Sequence, residues 1–89
     1  MFRLWAKTFK DNKMLSDIVI EDNSLSNRTK KIFDALEAVC NAFDLSVPIW
    51  LESNIADFKR VSKTRFTKDS FVDEINFDYL EIHVIEEDD

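Results

Sequence analysis

The sequence predicts an α+β fold: a three-stranded antiparallel sheet, made of an N-terminal hairpin and a C-terminal strand, packed against one long and one short helix. Three observations carry this. Apolar residues alternate on both sides of a polar tetrapeptide at residues 10–13, switch to a helical period over 32–43, and return to alternation over 80–84.

The elements follow in order. Met1 to Phe9 reads as the first strand, with Phe2, Leu4 and Ala6 on one face and Trp5, Lys7 and Phe9 on the other. Lys10-Asp11-Asn12-Lys13 is turn chemistry, and Met14 to Glu21, containing Ile18-Val19-Ile20, is the returning strand. A two-residue slip between the apolar runs indicates a bulge. The chain has no glycine, so left-handed positions fall to Asn and Asp, with Asn12 and Asn23 the expected ones. The polar loop Asp22 to Asn27 offers Ser26 and Asn27 as helix caps.

Ile32, Phe33, Leu36, Val39, Cys40 and Phe43 then form a single helical stripe, predicting a helix from about Arg28 to Phe43 that packs on the inward face of the last strand. Pro48 interrupts the pattern before Ile49-Trp50-Leu51, expected as a short buried segment. Ser53 or Asn54 is expected to cap a second helix carrying Ile55 and Phe58. No period emerges between Lys63 and Asn76, where Phe66, Phe71, Ile75 and Phe77 are expected to pin the chain to the core. Tyr79 to Ile85 is a strand with Leu80, Ile82 and Val84 inward, and Glu86 to Asp89 a frayed, charged end. Nothing marks a repeat or a linker, so residues 1–89 are expected to form one domain.

Composition narrows the function. A hydrophobic fraction of 45% with eight Phe and two Trp supports a single core in 89 residues. A net charge of −6 opposes loose attraction to nucleic acid or to an anionic membrane. One Cys cannot form an internal disulfide, the start does not read as a secretory leader, and no apolar run approaches the roughly 18 residues of a membrane span. The expected compartment is the cytoplasm. The missing glycines also remove phosphate loops, dinucleotide fingerprints and nucleophile elbows in their usual form.

Charge is sharply segregated. From Asp69 onward there are nine acidic residues and no Lys or Arg, whereas Asp57 to Lys68 carries five cations and one acid. Lys59, Arg60, Lys63, Arg65 and Lys68 surround Phe66, mixing cations with an aromatic ring as single-strand binders do. Pairing of this run with the acidic C-terminal third, within one chain or across a homodimer, is the simpler expectation. Asp69 and Asp73 share a face on a helical reading, near Glu74 and Asp78, and Mg²⁺ or Ca²⁺ accepts such ligands. A solvated acidic face is again the plainer reading, and neither metal nor cofactor is expected. Cys40 lies on the apolar stripe and reads as core, while His83 points opposite to Ile82 and Val84 as a solvated cross-strand residue. Trp50 reads as core. Trp5, beside Arg3 and Lys7 on the second face of its strand, is a contact candidate together with Tyr79 if that face is open.

The segments Met1-Phe2-Arg3-Leu4-Trp5, Pro48-Ile49-Trp50-Leu51 and Asp78-Tyr79-Leu80-Glu81-Ile82-His83-Val84-Ile85-Glu86 resemble those of a family of short, acidic, single-domain proteins from anaerobic bacteria. The resemblance spans essentially the whole chain and implies a cytoplasmic bacterial protein. No activity is assigned to that family, so no functional residue carries over.

The expected function is a small non-catalytic protein-interaction or regulatory module. Its candidate contacts are Arg3, Trp5, Lys7 and Tyr79, with the basic run as a charged patch. The alternative is a nucleic-acid-related protein, binding through the basic run or mimicking nucleic acid with the acidic third. A carboxylate or metal enzyme ranks below both, because no residue constellation supports it.

Overall fold

The computed structural model describes residues 1–87. Strands β1 (Phe2–Lys10) and β2 (Lys13–Asp22) form the predicted hairpin. Its loop residues Asp11 and Asn12 both take positive φ, 52° and 66°, the arrangement whose twist matches the flanking strands. The ladder pairs Thr8 with Ser16 but Phe9 with Met14, so Leu15 is left unmatched as a bulge.

Helix α1 (Arg28–Phe43) occupies the predicted span. Asn27 caps it, its Oδ1 accepting the Lys30 N–H at 2.9 Å and satisfying a donor that the first turn leaves free. At the other end Asp44 sits at φ 56° and returns its N–H to the Cys40 and Asn41 carbonyls. Helix α2 (Glu52–Val61) ends likewise on Ser62, also at φ 56°. Both are places where glycine usually stands. Asn23 is not left-handed, because the Asp22 carboxylate accepts the Ser24 N–H and turns the chain by an Asx turn instead.

The start of α2 also departs from expectation. Neither Ser53 nor Asn54 is the cap; Leu51 flanks the helix, and Asn54, inside the first turn, accepts the Leu51 N–H at 3.0 Å. The buried Asn54 amide also donates to Thr64 Oγ1 and to the Arg65 carbonyl, each at 2.9 Å. These bonds fasten α2 to the strand that follows.

That strand is the main correction. Lys63–Thr67 forms β3 where no element is predicted, and the sheet has four strands rather than three, in the order β2-β1-β4-β3 with every pair antiparallel. Phe66 is the single apolar residue of the five, and the other inward position is Thr64, whose hydroxyl is satisfied by Asn54 and Asp57. A turn of 3₁₀ helix at Lys68–Ser70 follows, and β4 (Tyr79–Glu86) closes the sheet. Glu86 is thus strand rather than frayed end; Asp88 and Asp89 lie outside the described residues.

Both helices cover one face of the sheet. Leu4, Ala6, Phe66, Leu80 and Ile82 meet Leu36, Val39 and Cys40 there, all fully buried. Each large apolar side chain so buried contributes about 1.5–3 kcal/mol relative to exposure. Phe71 is buried as expected, with Ile75 and Phe77 packed against the cluster. Phe33, however, is 50% exposed. One residue along α1 rotates it about 100° from Ile32, and it stands edge-on to Trp50, centroids 5.8 Å apart, instead of facing the sheet. Ala35 fills the seam in its place. Ile49 and Leu51 are likewise exposed; in that segment Pro48 is buried and Trp50 packs on the core. No helix among the described residues is long and apolar enough to cross a membrane.

Candidate functional site

The sheet face turned away from the helices gathers the contact residues singled out in the sequence. Strand alternation places Arg3, Trp5, Lys7 and Phe9 of β1 there, opposite Asp17, Val19 and Glu21 of β2 on one side. On the other side stand Tyr79, Glu81 and His83 of β4, and beyond them Lys63, Arg65 and Thr67 of β3.

These side chains form one connected surface. The Trp5 indole N–H donates to Asp17 Oδ2 at 3.0 Å, and Lys7 Nζ lies 3.7 Å from the Trp5 ring centroid. Lys7 Nζ also reaches Glu81 Oε2 at 3.1 Å, while Arg65 Nε donates to Glu81 Oε1 at 3.2 Å. The Arg65 guanidinium then sits 4.7 Å from the Tyr79 ring, which stacks on Phe9 at 5.1 Å. Arg3 pairs with Glu21 at 3.0 Å and with Glu86 at 3.6 Å. Cation–π contacts of this kind hold a long side chain in one place and keep its charge facing outward.

Glu81 is the hub. Burial pushes its pKa up, but hydrogen bonds from Lys7 and Arg65, with the charges of Lys7 and Lys63, outweigh this and hold it below the usual carboxylate value. With a cation on each oxygen, it is a structural anion rather than a free base. His83 lies between Trp5 and Lys63 in the ladder. Burial lowers its pKa, and the charges of Lys63 and Lys7 lower it further against the opposing pull of Glu81. Cys40 packs in the core beneath the helical face, with its thiol pushed up to about 11 by burial. The sheet separates Cys40 from His83, so the two cannot act as a nucleophile and base pair.

The basic run does not form one patch. Lys63 and Arg65 join the open face and line one concavity with Arg60, which pairs with Asp57 at 3.5 Å, whereas Lys59 lies elsewhere on α2 and Lys68 in the 3₁₀ turn. Phe66 points the other way and is fully buried, which removes the aromatic ring that base stacking requires. Among the described residues, Arg65 is the member of the run that reaches a carboxylate of the C-terminal third; Arg3, Lys7 and Arg28 supply the partners of Glu86, Glu81 and Glu87. Asp69 and Asp73 do not share a helical face, since the 3₁₀ turn ends at Ser70. No His, Cys, Asp or Glu cluster among the described residues suits a metal ion.

Sequence reasoning misses a second feature, on the helical side. A groove of about 230 Å³ runs between α1 and α2, walled by Ile32 and Phe33 on one side and Ile55 and Phe58 on the other, with Trp50 between them. Trp50 meets Phe33, Phe58 and Phe66 edge-on at 5.0–5.8 Å. No local signal in the sequence finds it, because Phe33 reads as part of the α1 stripe and Ile55 as the companion of Phe58 on α2. No family model, curated protein or solved structure matches this chain, so its surface chemistry carries the functional reading.

Proposed function

We propose that the protein is a small, non-catalytic interaction module of the cytoplasm that docks a partner protein through its open sheet face. The observation that carries this is the connected array Asp17–Trp5–Lys7–Glu81–Arg65–Tyr79 across all four strands. Tryptophan, tyrosine and arginine are the residues most enriched at binding hot spots. Here each is already held by a neighbour, which reduces the ordering cost of association.

Charge balance favours a protein over nucleic acid. The four cations Arg3, Lys7, Lys63 and Arg65 share the face with four carboxylates, Asp17, Glu21, Glu81 and Glu86. A phosphate backbone gains its affinity from an excess of cations, which this face lacks. The resemblance to short acidic proteins of anaerobic bacteria fits a cytoplasmic module but adds no partner.

Affinity capture from the source cell, quantified by mass spectrometry, tests the reading. A protein retained by wild type should be lost with Trp5→Ala and with Tyr79→Ala, and kept with Glu37→Lys, an exposed position of α1 outside the open face. Thermal unfolding confirms that each variant folds. Recovery indifferent to both sheet-face substitutions removes the open face from consideration.

A further inference from the structure

We propose that the groove between α1 and α2 is a second docking site, one that takes an acidic peptide segment of a partner protein anchored by a single aliphatic or aromatic side chain. The groove is apolar where it is open: Phe33 is 50% and Ile55 43% exposed, although both lie beside the core. A concavity lined by apolar side chains is the ordinary form of a site that takes an apolar group.

Size decides what kind of occupant fits. At about 230 Å³ the groove falls below the roughly 300–1,000 Å³ of cofactor and small-molecule sites. It suits one anchor side chain, and its two helical walls have the form that receives a peptide laid along them.

Charge decides the rest. Arg28 on α1 and Lys59 on α2 line the groove from opposite walls, and among the described residues no acidic side chain lines it. In a chain of net charge −6 this is a local reversal of sign. The chain itself shows what the rim receives: the Glu87 carboxylate pairs with Arg28, whose guanidinium lies 5.5 Å from the Phe58 ring. With Arg28 held by Glu87, Lys59, which forms no ion pair among the described residues, is the cation left to meet a carboxylate beside the anchor. This site stands independently of the sheet face, which lies on the other side of the molecule.

A random peptide library displayed on phage, panned on the full chain, tests the proposal. The expected peptides carry Asp or Glu next to Leu, Ile, Phe or Trp, and they bind less tightly as salt is raised. Fluorescence anisotropy of a selected peptide should weaken by about tenfold or more with Phe33→Ser and with Lys59→Glu, and stay unchanged with Trp5→Ala. Lys59 is exposed, so its variant remains informative even where Phe33→Ser impairs folding. Three results overturn the proposal: no acidic peptide is enriched, binding survives both groove substitutions, or decanoate shifts the amide resonances of Phe33 and Ile55 at lower concentration than any selected peptide. The last would make the groove a fatty-acid site.

Discussion

Glu81→Gln isolates the electrostatic hub of the open face, because it keeps the side chain's shape and removes its charge. The Glu81 and Lys7 side chains are 7% and 13% exposed, close to the buried regime in which losing one partner costs about 3–5 kcal/mol. The amide still offers an oxygen to Lys7, which brings that contribution to about 2 kcal/mol. Arg65 is 59% exposed, and its contact adds only about 0.5 kcal/mol. The substitution should therefore cost about 2–3 kcal/mol at neutral pH, lowering the urea midpoint by about 1–2 M. The same experiment in acid supplies the control. The folded-state pKa lies below the ordinary 4.5, so the stabilisation is fully present above that value and is lost as pH falls through the folded-state pKa. The gap between wild type and Glu81→Gln should narrow there. A gap under about 0.5 kcal/mol at neutral pH, or one undiminished in acid, refutes the assignment of Glu81 as a paired, buried anion.

Three further outcomes follow from burial. Leu36→Ala should cost about 2–5 kcal/mol, and Phe33→Ala clearly less than the roughly 3–5 kcal/mol of a buried Phe; equal costs in urea unfolding would return Phe33 to the core. Cys40, buried and with its thiol pushed up to about 11, should react with a thiol reagent at neutral pH only as fast as the fold opens, and prompt labelling without denaturant would contradict its packing. His83 should titrate below its ordinary 6.5 by NMR and move upward in Lys63→Ala; since the folded state resists its protonation, it should erode stability as pH falls from 6.5 toward the folded-state value.

The sequence places well the residues whose period and partner type agree. The α1 stripe, the alternation of Leu80, Ile82 and Val84, and the Asp11-Asn12 turn each match one local rule. Strand β3 escapes because its inward Thr64 is polar and is made acceptable by Asn54 and Asp57, ten and seven residues earlier. Phe33 is misplaced because a helical stripe wide enough to include Ile32 and its neighbour does not say which of the two meets the sheet. Alternation was enough to bring Arg3, Trp5 and Lys7 to one face. The Lys7–Glu81 contact depends on β4 pairing with β1, and the Arg65–Glu81 contact on β3 lying beside β4, which no local pattern predicts. The groove joins residues of both helices through Trp50, and no local pattern links them.

The strand order has a consequence for assembly of the fold. The neighbouring central strands β1 and β4 come from opposite ends of the described chain, and among the described residues β3 pairs with β4 alone. During synthesis the hairpin and α1 emerge first, with the inner edge of β1 unpaired. They wait there until β4 has been made. Pairing across so long a separation is slow to nucleate, and meanwhile the bare edge is a template for any extended segment, including β4 from a neighbouring nascent chain. The last strand is therefore the keystone joining α2–β3 to the rest. Losing it would separate the fold into two incomplete halves, and exchanging it would tie two copies together.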